Sequence, residues 1–266
     1  RRRHSFPTRR SSDLTNHKQT GNLFTDSSRM VTGARFEQTL PVGKNPLQLY
    51  TLGTPSGLRV HILLEELAEL GVADAKFDAY AINIGSGEQY GSDFVAINPN
   101  AKIPALVDYS ANPPVKLFES DAILQYLAEK HQQFIPTSPE QRATCISWLF
   151  WQTGSSPYVG GGFGHFFAFA PEKLEYPINY FTLEVKRQLD LLNKYLADKS
   201  YFCGDEYSIA DMAVWTWYGR LALGQVYGSG EFLQVDNYPH LQRWAKQIAS
   251  RPAVQRAMRL PLQPIA

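Results

Sequence analysis

The run IPALVD, Ile103 to Asp108, has the apolar character of a buried strand, yet Pro104 sits inside it. Proline has no N–H to give a ladder, and sheets tolerate it only at edges, strand starts and bulges. A fold containing this run must let a strand be entered or broken at a proline. The flanking sequence narrows the choice. Upstream, LQLYTL (Leu47 to Leu52) reads as a buried strand, and GTPSG leads into LRVHILLEELAEL. There Val60, Leu63, Leu64, Leu67 and Leu70 recur at helical spacing. Thr54 is placed to cap that helix, Pro55 to begin it and Gly71 to stop it.

AKFDAYAIN (Ala75 to Asn83) is the next strand, and GEQYGSDFVAINPN a loop with a short helix. IPALVD and VKLFES form two strands joined by a proline-rich turn, and SDAILQYLAEKH is a helix. The order is βαβαββα. The first strand–helix–strand implies a right-handed parallel crossover, and the last two strands, closely joined, must be antiparallel. This is the layout of an α/β thioredoxin-like domain, expected over 46–131, and an all-α domain is expected over 138–260. In the second domain the glycines of PYVGGGFGHFFAFAP predict a break between helices, and YPHLQRWAKQIASRPAVQRAM closes the ordered part. Trp148, Phe150 and Trp151 are expected in the core and domain interface. In DEYSIADMAVW, Ser208 and Asp211 form a short capping box.

The charge balance is close to even, 26 basic against 25 acidic residues, which gives no footprint for nucleic acid or a membrane surface. No run has the length of an apolar membrane span. The two cysteines, Cys145 and Cys203, show no CxxC or zinc-like spacing, so no metal site is expected, and they read as reduced thiols of a cytoplasmic protein. Residues 1–45 read as an arm or leader. Within it, HSFPTRRSSDL (residues 4–14) is one translation of a common sequencing-library adapter and is expected to be an assembly artefact. Resequencing the genomic locus tests this.

GTPSG, NPNAKIPALVD, FESDAILQYLAEK, SWLFWQTGSSP, GGGFGHF and DEYSIADMAVW together resemble the soluble glutathione transferase family, over about Leu47 to Met258, and within it the nu-class, disulfide-reducing branch. RMVTGARFEQTLPVGKNPLQLY resembles that branch more weakly. The resemblance implies glutathione transferase architecture, usually a homodimer, with glutathione as co-substrate and in this branch two glutathiones per site. It implies a cis bond before Pro104, which turns the Ile103 main chain towards the ligand so that the cysteinyl backbone pairs with it like an added strand. Glu119 and Ser120 would hold the γ-glutamyl end, the carboxylate lying at a helix N-terminus. Gln89 and Lys102 would be further polar contacts, and Arg187 a partner for a glutathione carboxylate. Arg29 lies in the arm, which reads first as a mobile leader, the alternative being that it covers the site. His165 reads as structural.

A thiol has a pKa of about 8.5 and attacks as its thiolate, so the ligand needs activation. Thr54 and Ser56 supply hydroxyl donors at a helix start. Tyr50 is the rival activator, although its place within LQLYTL is that of a packed strand residue. Ser56 stands where related sequences of the branch carry Asn, and a hydroxyl has the shorter reach. With no cysteine in GTPSG, glutathione itself must supply the thiols for disulfide exchange. The expected function is a glutathione-dependent disulfide-bond reductase acting on a small disulfide. The alternatives are conjugation of glutathione to electrophiles and a non-catalytic binding module.

Overall fold

The computed structural model describes residues 32–259 and 261–265, so residues 4–14 and Arg29 lie outside it. The N-terminal unit runs β1 (Leu47–Thr51), α1 (Pro55–Glu69), β2 (Phe77–Ala81), α2 (Ser92–Ile97), β3 (Ala105–Asp108), β4 (Val115–Phe118) and α3 (Ser120–His131). The strands lie in the order β2–β1–β3–β4, with β1 parallel to β2 and the other pairs antiparallel. The βαβαββα order therefore stands. The strand at IPALVD is shorter than the sequence predicts: β3 begins at Ala105, so Pro104 precedes the ladder and blocks none of its bonds.

Side chains alternate across β1. Leu47 and Leu49 face α1 and α3 in one core, while Tyr50 packs on the opposite face with Tyr80, Ile82 and Phe94. Leu40, from the arm, helps to cover that second face. The arm is anchored by the loop it crosses: Ser92 N–H donates to Phe36 C=O (3.0 Å), Gln38 N–H to Ser92 Oγ (3.0 Å) and Leu40 N–H to Asp93 Oδ2 (2.9 Å).

Helix α1 starts as expected. Thr54 Oγ1 accepts the Gly57 N–H at 3.3 Å, and Pro55 occupies the first turn. Gly57 has a further role, since a Cβ there would stand 2.2 Å from both Leu52 O and Thr51 Oγ1. Only glycine lets the helix leave β1 this closely.

The C-terminal unit comprises α4 (Pro139–Pro157), α5 (Glu175–Tyr195), α6 (Ile209–Val214), α7 (Arg220–Ala222), α8 (Gly230–Leu233), α9 (Pro239–Ala249) and α10 (Pro252–Arg259). The expected break at GGGFGHF does not occur. Tyr158–Phe169 continues α4 as a wide π-helical stretch. The glycines serve contact instead: a Cβ on Gly162 would stand 2.4 Å from the Phe181 ring, and one on Gly164 2.3 Å from Tyr227. Trp148 packs on Trp151, Tyr195 and Phe202, but Phe150 is exposed, contrary to the core position expected for it.

The capping box forms. Ser208 N–H donates to Asp211 Oδ2 at 3.0 Å, and the buried Asp211 also accepts from Phe202 N–H and Trp244 Nε1. Burial raises its pKa to about 6. The two units share one core, and α1 is gripped by Arg251, just before α10, through Glu66 and by Arg256 of α10 through Glu65 and Glu69. Order does not close at Met258: Gln263 accepts from Ala81 N–H (2.7 Å) and donates to Ala79 C=O (3.0 Å), so the tail occupies the open edge of β2. Among the described residues no helix is long and apolar enough to cross a membrane.

Candidate active site

Sheet register explains why residues far apart in sequence meet. Tyr50 near the end of β1 pairs with Ala105 at the start of β3, which pairs with Phe118 at the end of β4. Thr51 at the end of β1 pairs with Ala81 at the end of β2. Thr54 and Ser56, Lys102 with Ile103 and Pro104, and Glu119 with Ser120 therefore gather at one end of the sheet. The loop to Gln89 leaves from that end.

The Ile103–Pro104 bond is cis, as the family resemblance implies. Asn98 fixes its approach: the Nδ2 of this buried side chain donates to Lys102 C=O at 2.5 Å, while Oδ1 accepts from Asn100 N–H at 2.9 Å. Lys102 is exposed and Ile103 half-buried. Gln89 is buried, and its Oε1 has no partner among the described residues. The Asn-Pro-Asn spacing before Ile-Pro carried the signal that points to Asn98.

Glu119 has φ +65°, an uncommon conformation for a residue with a side chain, and makes no side-chain cap. Its exposed carboxylate is left for a cationic partner. Ser120 is the first residue of α3 and 8 % exposed, beside unpaired helix N–H groups that favour an anion.

Directly behind Ser120 stands a charge network. Arg59 of α1, only 1 % exposed, donates from Nη1 to Asp121 Oδ1 (2.7 Å) and to Gln152 Oε1 of α4 (2.5 Å). Thr153 Oγ1 donates to Asp121 Oδ2 at 2.5 Å. Arg59 thus neutralises a carboxylate in the first turn of α3 that would otherwise repel an anion at Ser120. Sequence reasoning missed this group. Its only signal was a lone arginine in the apolar run of α1.

The thiol end is plainer. Thr54 Oγ1 accepts from Gly57 and keeps its own O–H to donate; Ser56 is half-buried beside it. Tyr50 is a packed strand residue: 1 % exposed, it donates to Pro41 C=O at 2.8 Å, and burial, with Tyr109, Tyr80 and Asp93 nearby, pushes its pKa far above the usual tyrosine range. It does not ionise to assist a thiol. His165 is half-buried, edge-on to Phe166.

Arg187 is carried by the helical unit. It lies on α5, with its side chain 60 % exposed, and its Nε and Nη2 donate to the two Glu184 oxygens at 2.8 and 2.7 Å. Tyr158, Tyr180 and Leu183 line an open hollow with this pair. Glu184 is itself held by Gln188 Nε2 (2.9 Å), whose Oε1 accepts from the buried Tyr218 hydroxyl (2.9 Å).

Comparison with known proteins agrees with this architecture. The glutathione S-transferase N-terminal domain family matches residues 45–129, and the glutathione S-transferase C-terminal domain family residues 181–247. The chain is 54% identical over 239 residues to the disulfide-bond oxidoreductase YghU of Escherichia coli, covering 90% of this chain and 83% of that one. The crystal structure of glutathione transferase YghU from Streptococcus pneumoniae, complexed with glutathione, superposes with a TM-score of 0.93 at 52% identity, covering 99% of this chain and all of the other. A Burkholderia graminis glutathione transferase with two glutathione molecules per subunit gives 0.75 at 36% identity, covering 82% of this chain and 89% of that one.

Proposed function

Because this chain belongs to the glutathione S-transferase family, we propose that it is a glutathione-dependent disulfide-bond reductase in which glutathione supplies the thiols. The observation that carries the reading is the gathering, at one end of the sheet, of a strand entrance at Ile103, an anion-favouring helix start at Ser120 and hydroxyl donors at Thr54 and Ser56. Cys145 and Cys203 are buried in the helical unit, so the protein brings no thiol of its own to this end.

In this reading the cysteinyl main chain pairs with Ile103. Ser120 and the N–H groups of α3 take the γ-glutamyl carboxylate, and Glu119 its ammonium. Gln89 and Lys102 add polar contacts. Thr54 and Ser56 hold the sulfur as thiolate. That thiolate attacks one sulfur of the substrate disulfide; the S–S bond breaks, a mixed disulfide forms and the second sulfur leaves as a thiol. A second glutathione attacks the mixed disulfide, so two glutathiones become one glutathione disulfide for each disulfide reduced. The Burkholderia relative with two bound glutathiones supports this two-thiol scheme. Arg187 meets a carboxylate of the second molecule once Glu184 releases it.

The working form is a homodimer, supported by apolar side chains exposed on and beside α5: Tyr176 (81 %), Leu183 (71 %) and Tyr180 (55 %). Two unpaired cysteines support a cytoplasmic setting. The test is turnover of hydroxyethyl disulfide with glutathione beside conjugation of a halonitrobenzene. Fast disulfide turnover with slow conjugation is expected. The opposite ratio makes the chain a conventional transferase, and silence in both with intact glutathione binding makes it a binding module.

A further inference from the structure

The chain's two cysteines come from distant segments, yet they meet. Cys145 lies on α4 and Cys203 in the tight turn Tyr201–Gly204, and their sulfurs stand 3.8 and 3.4 Å from the same oxygen, Ser208 Oγ. A lone buried cysteine behaves as a small apolar residue. Two thiols converging on one hydroxyl are within reach of each other.

We propose that Cys145 and Cys203 are a peroxide-reactive dithiol that closes to an intramolecular disulfide, separate from the glutathione chemistry at the end of the sheet. Burial selects the oxidant. Cys145 is 0 % and Cys203 4 % exposed, so a tripeptide disulfide cannot line up with either sulfur. Hydrogen peroxide is close to water in size. Its route is the turn itself: Gly204, next to Cys203, has φ +101°, and Asp205 and Glu206 beyond it are exposed. Peroxide reaches the pair when this turn opens locally.

The chemistry has two steps. One thiolate attacks a peroxide oxygen; the O–O bond breaks, an S–O bond forms, and the departing hydroxide takes a proton and leaves as water. The second thiol then attacks the sulfenic sulfur; the S–S bond forms, the S–O bond breaks, and a second water leaves with that thiol's proton. Two thiols and one peroxide give one disulfide and two waters. The neighbouring Cys203 pulls the Cys145 thiol pKa down, and Cys145 together with burial pushes that of Cys203 up. One sulfur attacks and the other resolves, and the single variants identify which. The product ties α4 to the turn that precedes α6.

The test treats the full chain with a small excess of hydrogen peroxide, denatures it, alkylates free thiols with iodoacetamide and measures intact mass. A monomer about 2 Da lighter, unalkylated at both cysteines and restored by dithiothreitol, is expected. Of the Cys145→Ser and Cys203→Ser variants, the one that keeps the attacking sulfur should instead yield a dimedone-trappable sulfenic acid there. Glutathione disulfide should leave both thiols alkylatable, and Cys145→Ser and Cys203→Ser should keep wild-type disulfide turnover. The proposal is overturned if both cysteines remain alkylatable after peroxide, if they oxidise independently to sulfinic acids, or if the bond forms between chains. A glutathione adduct on either thiol would overturn the selectivity by size.

Discussion

The two ends of the proposed glutathione site are built to different specifications. The anion end at Ser120 rests on the buried set Arg59, Asp121, Gln152 and Thr153, which joins α1, α3 and α4. The thiol end at Thr54 and Ser56 rests on a helix cap and a close glycine. A fixed charge network supports a ligand group that stays ionised throughout. Hydroxyls suit a sulfur that must gain and lose charge during exchange. The difference teaches that binding and activation are supported separately, and so should fail separately.

The largest effect is expected from Arg59→Met. It leaves the Asp121 carboxylate buried without its cation, a change that typically costs about 3–5 kcal/mol. Urea unfolding measures it, and Asp121→Asn in the same chain should recover part of the loss. No loss in the single variant would remove the network as the support of this end.

Gly57→Ala tests the other end. Its new methyl would overlap Leu52 O and Thr51 Oγ1, so α1 must shift. A cost of about 1–3 kcal/mol is expected, as for other overpacking changes, with slower disulfide turnover because Thr54 moves with the helix. Unchanged turnover would separate the cap from the chemistry.

A control away from both ends is Asp108. Burial raises its carboxyl, but Lys130, Ser110 and Tyr126 outweigh that and hold its pKa at about 2. Because the folded pKa lies below the unfolded value, the group stabilises the fold above about pH 4, and this stabilisation is lost as pH falls towards 2. It amounts to about 2 kcal/mol. Asp108→Asn should lower stability at pH 7 and flatten the acid limb of a thermal melting profile, with glutathione affinity unchanged.

The smallest effect is expected at Arg187→Ala. Arg187 is largely exposed beside a half-buried Glu184, and surface pairs contribute at most about 1 kcal/mol to stability. Any effect should appear in the KM for glutathione, and a large fall in melting temperature would mean that Arg187 serves the fold instead.

Much of the anion end could be read along the chain. Helical spacing, caps and the Glu-Ser-Asp start are local signals, and α1, α3 and the capping box at Ser208 appear where those signals lie. What lay hidden depends on contacts distant in sequence. Arg59 meets Gln152 from 93 positions away, and nothing local distinguishes it from a surface arginine. GGGFGHF misled for the same reason: glycine lowers helix propensity, but Phe181 and Tyr227 dock against these glycines and the helix carries on. Gln263 could not be assigned because its partners are main-chain groups of β2, which leave no mark in the sequence.

The most direct test measures Ser120→Ala and Ser56→Ala side by side, with glutathione affinity from calorimetry and disulfide turnover at saturating glutathione. Ser120→Ala should weaken binding by about tenfold, the loss of one hydrogen bond to a charged group, with near-normal turnover. Ser56→Ala should keep its affinity and turn over slowly. An equal loss of binding in both variants would contradict the division between the two ends.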